Sequence, residues 1–158
     1  MSLFERILQS RGLTEPSARQ AFLQPDYTAT KHDPFLLPDM AKATQRLRRA
    51  RAAGEKIVIY GDYDIDGLSA TALLLDAFTR FGFRAVEAFI PNRFVEGYGM
   101  TIGAVDKVAA MGAQLIVTVD CGSLCHEEIA YASHLGIDTI VTDHHNVAAT
   151  PPPSIAAV

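Results

Sequence analysis

The sequence predicts an α/β fold: an open, mainly parallel sheet flanked by helices, with a short N-terminal helical extension. Two observations carry that prediction. Helix-length segments end at Gly54, Gly82, Gly112 and Gly136, where a left-handed residue closes a last helical turn. A short run rich in β-branched or apolar residues then follows each glycine: Ile57-Val58-Ile59-Tyr60, Val86-Glu87-Ala88-Phe89-Ile90, Leu115-Ile116-Val117-Thr118-Val119 and Thr139-Ile140-Val141-Thr142. The most continuous of these runs suit strands buried on both faces, as in a parallel sheet covered by helices. Strands alternating with helices then imply right-handed crossovers.

Taken in order, residues 1–40 read as an extension packed on the core. They hold an amphipathic piece with Leu3, Ile7 and Leu8, a second around Ala18 to Leu23, and a stretch punctuated by Pro25, Pro34 and Pro38. Residues 41–158 form the sheet domain. Its first helix carries Arg46, Arg48, Arg49 and Arg51, which with Lys56 read as a solvated face. The helix at 67–81 is apolar almost all round at its start (Leu68, Ala70, Ala72, Leu73, Leu74, Leu75), so it is expected to be the most buried helix, in a central position. In 102–111, Ile102, Val105, Val108 and Ala109 form a stripe at helical spacing behind a Thr101 cap. The last residues, Pro151 to Val158, read as a turn and the opening of another strand, so the domain is expected to be incomplete at its C-terminus.

Composition bounds the function. At 158 residues and 49% hydrophobic content, the chain suffices for one domain with a real core. A formal net charge of -4 gives no general attraction to nucleic acid, unless several of the acids hold cations. Cys121 and Cys125 are too close in sequence to close a long loop, and a reducing cytoplasm suits them best; both read as small buried or half-buried side chains. The opening Met1-Ser2-Leu3-Phe4-Glu5-Arg6 is charged where a signal peptide needs an apolar run, and no stretch approaches the roughly eighteen apolar residues of a membrane span.

Ligands of open parallel sheets bind beyond the carboxyl ends of the strands. There this sequence places Gly61-Asp62-Tyr63-Asp64-Ile65-Asp66-Gly67, then Pro91-Asn92-Arg93 with Glu96-Gly97-Tyr98-Gly99, then Asp120-Cys121-Gly122, then Asp143-His144-His145. Carboxylates and imidazoles converging on one rim make a site for divalent cations. Two carboxylates about 4 Å apart repel by roughly 4 kcal/mol at an effective dielectric near 20, so the acids are either spread apart or held by metal. Mixed Asp and His ligation without thiolates favours Mn²⁺ or Mg²⁺ over structural zinc.

Blander readings compete. The Asp62/Asp64/Asp66 loop could be a solvated turn. As an EF-hand it fails, because Leu73 stands where the bidentate Glu belongs and a strand leads in. A haloacid-dehalogenase-type phosphatase also carries Asp-x-Asp-Gly after a strand, but its downstream Lys and acidic pair are not evident, and His144 and His145 would be idle. Asn92 and Arg93 either cap a strand end or clamp a phosphate, and Arg on a phosphate-facing rim favours the clamp. Whether Glu96 and Tyr98 touch substrate is left open. His32, His126 and His134 read as surface or locally bonded residues.

Together the four segments resemble the first four motifs of the DHH phosphoesterase family, and the Gly-Asp-Tyr-Asp opening with Pro-Asn-Arg and Glu-Gly-Tyr-Gly is most similar to its single-strand-specific exonuclease branch. The resemblance implies two-metal, Mn²⁺- or Mg²⁺-dependent 5′-to-3′ hydrolysis of single-stranded DNA in recombination and repair. It implies Asp64, Asp66, Asp120 and His144 as metal ligands and Asp62 as a ligand or an orienting group. His145 would contact the scissile phosphate or complete the second metal's shell, and Asp143 would fix a histidine tautomer. Single-strand binding protein, a helicase and further C-terminal domains of the same chain are the implied partners. The chain alone is expected to have little or no activity. The alternatives within the family are a phosphodiesterase of short oligonucleotides or cyclic dinucleotides, and a non-catalytic binding module, whose expected mark is loss of the acids.

Overall fold

Every β-branched run becomes a strand in a computed structural model, which describes residues 1–158. The strands are β1 (Ile57–Gly61), β2 (Val86–Phe89), β3 (Leu115–Val119), β4 (Asp138–Thr142) and a final two-residue β5 (Ala156–Ala157). They form one sheet in the order β2-β1-β3-β4-β5, and every neighbouring pair is parallel. The chain leaves β1 for the edge strand β2 and returns on the other side of β1 to form β3. The strand order therefore reverses between β1 and β3, where an open α/β sheet leaves a crevice at its carboxyl edge.

Helix α4 (Met40–Ala53) leads into β1, and α5 (Ile65–Arg80), α6 (Ile102–Ala110) and α7 (His126–His134) connect β1 to β2, β2 to β3 and β3 to β4. α4 and α5 cover one face of the sheet, and α6 and α7 the other. The division follows residue parity along β1: Ile57 and Ile59 pack with Ala43, Ala50 and Phe78, whereas Val58 and Tyr60 pack with Ala104, Val105, Val108, Ile129 and Ala132. Both faces of β1 and β3 are thus dry. Wholly buried Ile57, Ile59, Leu115 and Ile116 each contribute roughly 2–3 kcal/mol of apolar burial. Gly54, Gly82, Gly112 and Gly136 all have positive φ, as expected of residues that end helices. Thr101 caps α6 by accepting a hydrogen bond from the Ala104 amide at 3.2 Å.

Two expectations need correction. α5 is not the most buried helix: Leu68 is 45% and Leu73 68% exposed, while Ala104, Val105 and Val108 make α6 the more enclosed. A helix lying on an open sheet buries one face only, and the apolar surface of α5 is wider than that face. Nor is Arg46 solvated. It is 6% exposed, with Nε 2.6 Å from Asp138 Oδ2 and an Nη nitrogen 2.6 Å from Glu55 Oε2. It ties α4 to the starts of β1 and β4, whereas Arg48, Arg49 and Arg51 remain exposed as expected.

Residues Met1–Leu36 form a compact unit of their own, distinct from Leu37–Val158. That unit holds α1 (Leu3–Ser10), α2 (Pro16–Leu23), the single turn α3 (Tyr27–Thr30) and a 3₁₀ turn at Pro34–Leu36. Arg19 joins its first two helices, bonding Glu5 at 2.9 Å and the Leu13 carbonyl at 2.7 Å. No helix of the chain is long and apolar enough to cross a membrane. Both cysteines are free thiols; Cys121 is buried and Cys125 partly so.

Candidate metal centre

Strand register sets the site. Gly61 is level with Val119, and Val119 with Thr142, so the next residues, Asp62, Asp120 and Asp143, leave three adjacent strands at the same height. In the loop after β1, Asp64 caps α5, its Oδ1 accepting from the Asp66 and Gly67 amides at 3.0 Å each. Position 67 must be glycine: a Cβ there would lie 2.5 Å from the Asp62 carbonyl oxygen. The close approach presses the helix start onto the Asp62 backbone. Thr71 locks it from below through a 2.7 Å bond to the Gly67 carbonyl.

After β3, Asp120 adopts φ 63°, a left-handed conformation that is uncommon for a non-glycine residue and that clusters at functional sites. Its Oδ1 lies 2.9 Å from His144 Nε2 and 3.9 Å from His145 Nδ1. After β4, Asp143 acts as a bracket. One oxygen accepts from the Ser123 amide at 3.0 Å; the other accepts from the His145 amide at 3.1 Å and meets its Nδ1 at 2.9 Å. A proton on Nδ1 in that bond leaves Nε2 as the unprotonated nitrogen of a neutral His145.

Possible ligand atoms fall into two groups, each within 4.8 Å: Asp62, Asp64 and Asp120, and Asp120, His144 and His145. Asp120 belongs to both. Asp62 Oδ1 and Asp120 Oδ2 are buried with no hydrogen-bond partner, a costly arrangement for carboxylates unless a cation meets them. The residues present therefore fit a divalent cation, by donor type and by these orphaned oxygens. The electrostatics agree. Burial and the nearby Asp64 carboxylate push Asp120 above the usual carboxylate range, while the Gly67 amide holds Asp64 below it. The Asp143 carboxylate raises His145.

Asp66 belongs to neither group, standing in the first turn of α5 beside a groove that it lines with Leu73, Leu74, Asp120, Asp143 and His144. Asn92 and Arg93 are exposed on the loop after β2. Asn92 Oδ1 accepts from the Phe94 amide at 2.9 Å. Glu96 turns inward, pairing with Lys107 and accepting from the Asn92 amide at 2.6 Å, so it braces the loop. Tyr98 lies edge-on between the Tyr63 ring at 6.5 Å and the His145 ring at 6.1 Å. Sequence reasoning passed over Ser123, whose contribution is a backbone amide and leaves no mark in residue type. Tyr63 entered the sequence reading only as part of the Gly-Asp-Tyr-Asp motif, with no role of its own.

A switch-point crevice of a parallel sheet, rimmed by carboxylates and imidazoles, is a place where divalent cations can be held. Residues 56–158 match the profile described as the DHH family, N-terminal domain, and the chain belongs to that family. Within it, the single-stranded-DNA-specific exonuclease RecJ of Bacillus subtilis is 38% identical over 143 residues, covering 90% of this chain and 18% of that protein. RecJ of Escherichia coli is 42% identical over 122 residues, 77% of this chain and 21% of the relative. Among solved structures, an exonuclease RecJ bound to manganese is 39% identical with a TM-score of 0.70, covering 78% of this chain and 32% of that one. RecJ of Thermus thermophilus in complex with Mn²⁺ is 31% identical with a TM-score of 0.72, covering 95% and 20%. The chain thus spans about a fifth of the length of the curated relatives it matches.

Proposed function

We propose that the protein to which this chain belongs is a Mn²⁺- or Mg²⁺-dependent exonuclease that hydrolyses single-stranded DNA from the 5′ end in recombination and repair, using two cations. The observation that carries this reading is Asp120, common to both ligand groups, with a buried oxygen that has no partner. Asp62, Asp64 and Asp120 would hold one cation, and Asp120 with His144 the other. Asp66 would complete a shell from its groove. Bound there, divalent cations supply Lewis-acid polarisation of the phosphodiester and lower the pKa of water.

The chain's own residues do the rest. Asp143 holds His145 by its Nδ1, leaving Nε2 to donate to, or accept from, an oxygen of the scissile phosphate. Asn92 and Arg93 offer amide and guanidinium N–H donors to a phosphate on the rim, and the planar guanidinium suits two oxygens at once. Free cysteines suit a reducing cytoplasm as the setting. Single-strand binding protein, a helicase and the protein's own further domains are the partners this role calls for. With only about a fifth of its relatives' length, the isolated chain should turn over poorly.

The test is degradation of end-labelled single strands by the full-length protein with Mn²⁺, Mg²⁺ or a chelator, beside a dinucleotide substrate. Metal-dependent release from the 5′ end of the long strand is expected. Faster turnover of the dinucleotide would replace this reading with a small-substrate phosphodiesterase, and no turnover of either would favour a binding module.

A further inference from the structure

We propose that Tyr63 is a positioning residue, holding the Arg93 guanidinium at the mouth of the carboxylate cluster for a phosphate of the incoming strand; the inference rests on the nuclease reading and deepens it. Tyr63 stands between Asp62 and Asp64, so the turn that places the two carboxylates also places its ring. The guanidinium carbon of Arg93 lies 4.9 Å from the Tyr63 ring centroid, nearer than to the ring of its own neighbour Phe94 at 6.0 Å. No carboxylate is within ion-pair distance of Arg93; other exposed arginines share that, and the ring beneath it is what sets Arg93 apart.

That combination suits an anion receptor. A guanidinium resting on an aromatic face keeps its five N–H donors around the edge, where phosphate oxygens can reach them; a carboxylate partner would occupy those donors. The ring also limits the freedom of a long side chain on an exposed loop, so less order has to be imposed when the phosphate arrives. Tyr98 meets Tyr63 edge-on and stands beside His145, which completes a row from guanidinium through two rings to imidazole. A strand laid along that row would meet Arg93 with one phosphate and His145 with another.

The experiment uses the full-length protein, Mn²⁺ and single-stranded DNA, with KM and kcat measured separately and equilibrium binding followed against salt. Tyr63→Leu should raise KM about two- to fivefold, the range of an exposed cation–π contact, with little change in kcat. Tyr63→Phe keeps the ring and should restore the wild-type KM. Arg93→Ala should weaken binding and reduce the salt slope by about one phosphate contact. In the Arg93→Ala background, Tyr63→Leu should then add nothing. A wild-type KM in Tyr63→Leu, a defect of equal size in Tyr63→Phe, or simple addition of the two effects overturns the proposal. Should Tyr63→Leu not fold, Tyr63→Trp decides: its larger face must hold or lower KM, and a rise overturns the proposal. An inactive wild-type protein would sink the nuclease reading, whereas the binding measurements would still decide whether Tyr63 and Arg93 act together.

Discussion

The two ends of the sheet treat charge in opposite ways. At the amino ends of the strands, buried Arg46 meets Glu55 and Asp138, and Lys56 meets Glu87, so the buried and half-buried cations there have carboxylates. At the carboxyl ends, Asp62, Asp64 and Asp120 crowd together with no lysine or arginine among them, and two of their oxygens are buried and unpartnered. The first end looks after stability. The second holds uncompensated negative charge, which costs stability until a cation arrives, and such local conflict is what a functional site costs its fold.

The largest expected effect comes from removing charge where it is uncompensated. Asp120→Asn should lower Mn²⁺ affinity by at least about a hundredfold, since even indirect partners of a metal cost ten- to a hundredfold. The same change should leave the metal-free protein as stable as the parent or more so, because it relieves repulsion with Asp64. Titration calorimetry with Mn²⁺ and thermal melts in chelator would check both halves. A variant that binds metal normally but melts early would place Asp120 among the structural acids and erase the contrast between the two ends.

That contrast was only half legible in the sequence. The carboxyl rim was readable because parallel topology delivers the residues just past each strand to one edge, and Asp62, Asp120 and Asp143 sit one residue past Gly61, Val119 and Thr142. The amino-end network was not, because the partners of Arg46 lie 9 and 92 residues away and only the folded register brings them together. For the same reason the sequence overstates the burial of α5: hydrophobic content reports how much surface seeks cover, and packing decides which part finds it. Within the rim, residue type picked out Asp64 and Asp120, but the separation of Asp66 from both ligand groups depends on side-chain placement in a helical first turn.

A smaller effect is expected at the paired end. Arg46→Met should destabilise by about 2–3 kcal/mol, below the usual cost of breaking a buried pair, because the Asp138 carboxylate is 40% exposed and regains water. Denaturant unfolding would measure it, and Mn²⁺ affinity should not change. Loss of metal affinity in Arg46→Met would show that the two ends are coupled.

The smallest effect concerns pH, and it separates two acids on the same rim. Asp120 in the metal-free protein is raised above the ordinary value of 3.8, by burial first and by Asp64 next, so the folded chain holds that proton more tightly than the unfolded chain does. Its contribution to metal-free stability must therefore fall as pH climbs from 3.8 through the raised value. Asp143 runs the other way. Burial pushes it up, but the Ser123 amide and the ring and amide of His145 outweigh burial and hold it below 3.8. It stabilises the fold above 3.8, and that stability is lost as pH falls through its lowered value. Chemical unfolding in chelator across this range should show the Asp120→Asn variant with a smaller decline on the upper side, and Asp143→Asn with a smaller loss on the acid side, the share of Asp64 remaining. Added Mn²⁺ should remove the Asp120 decline and leave the Asp143 share of the acid-side loss in place, because a cation favours the ionised form of the ligands it meets and leaves the bracket of Asp143 to its amide and imidazole.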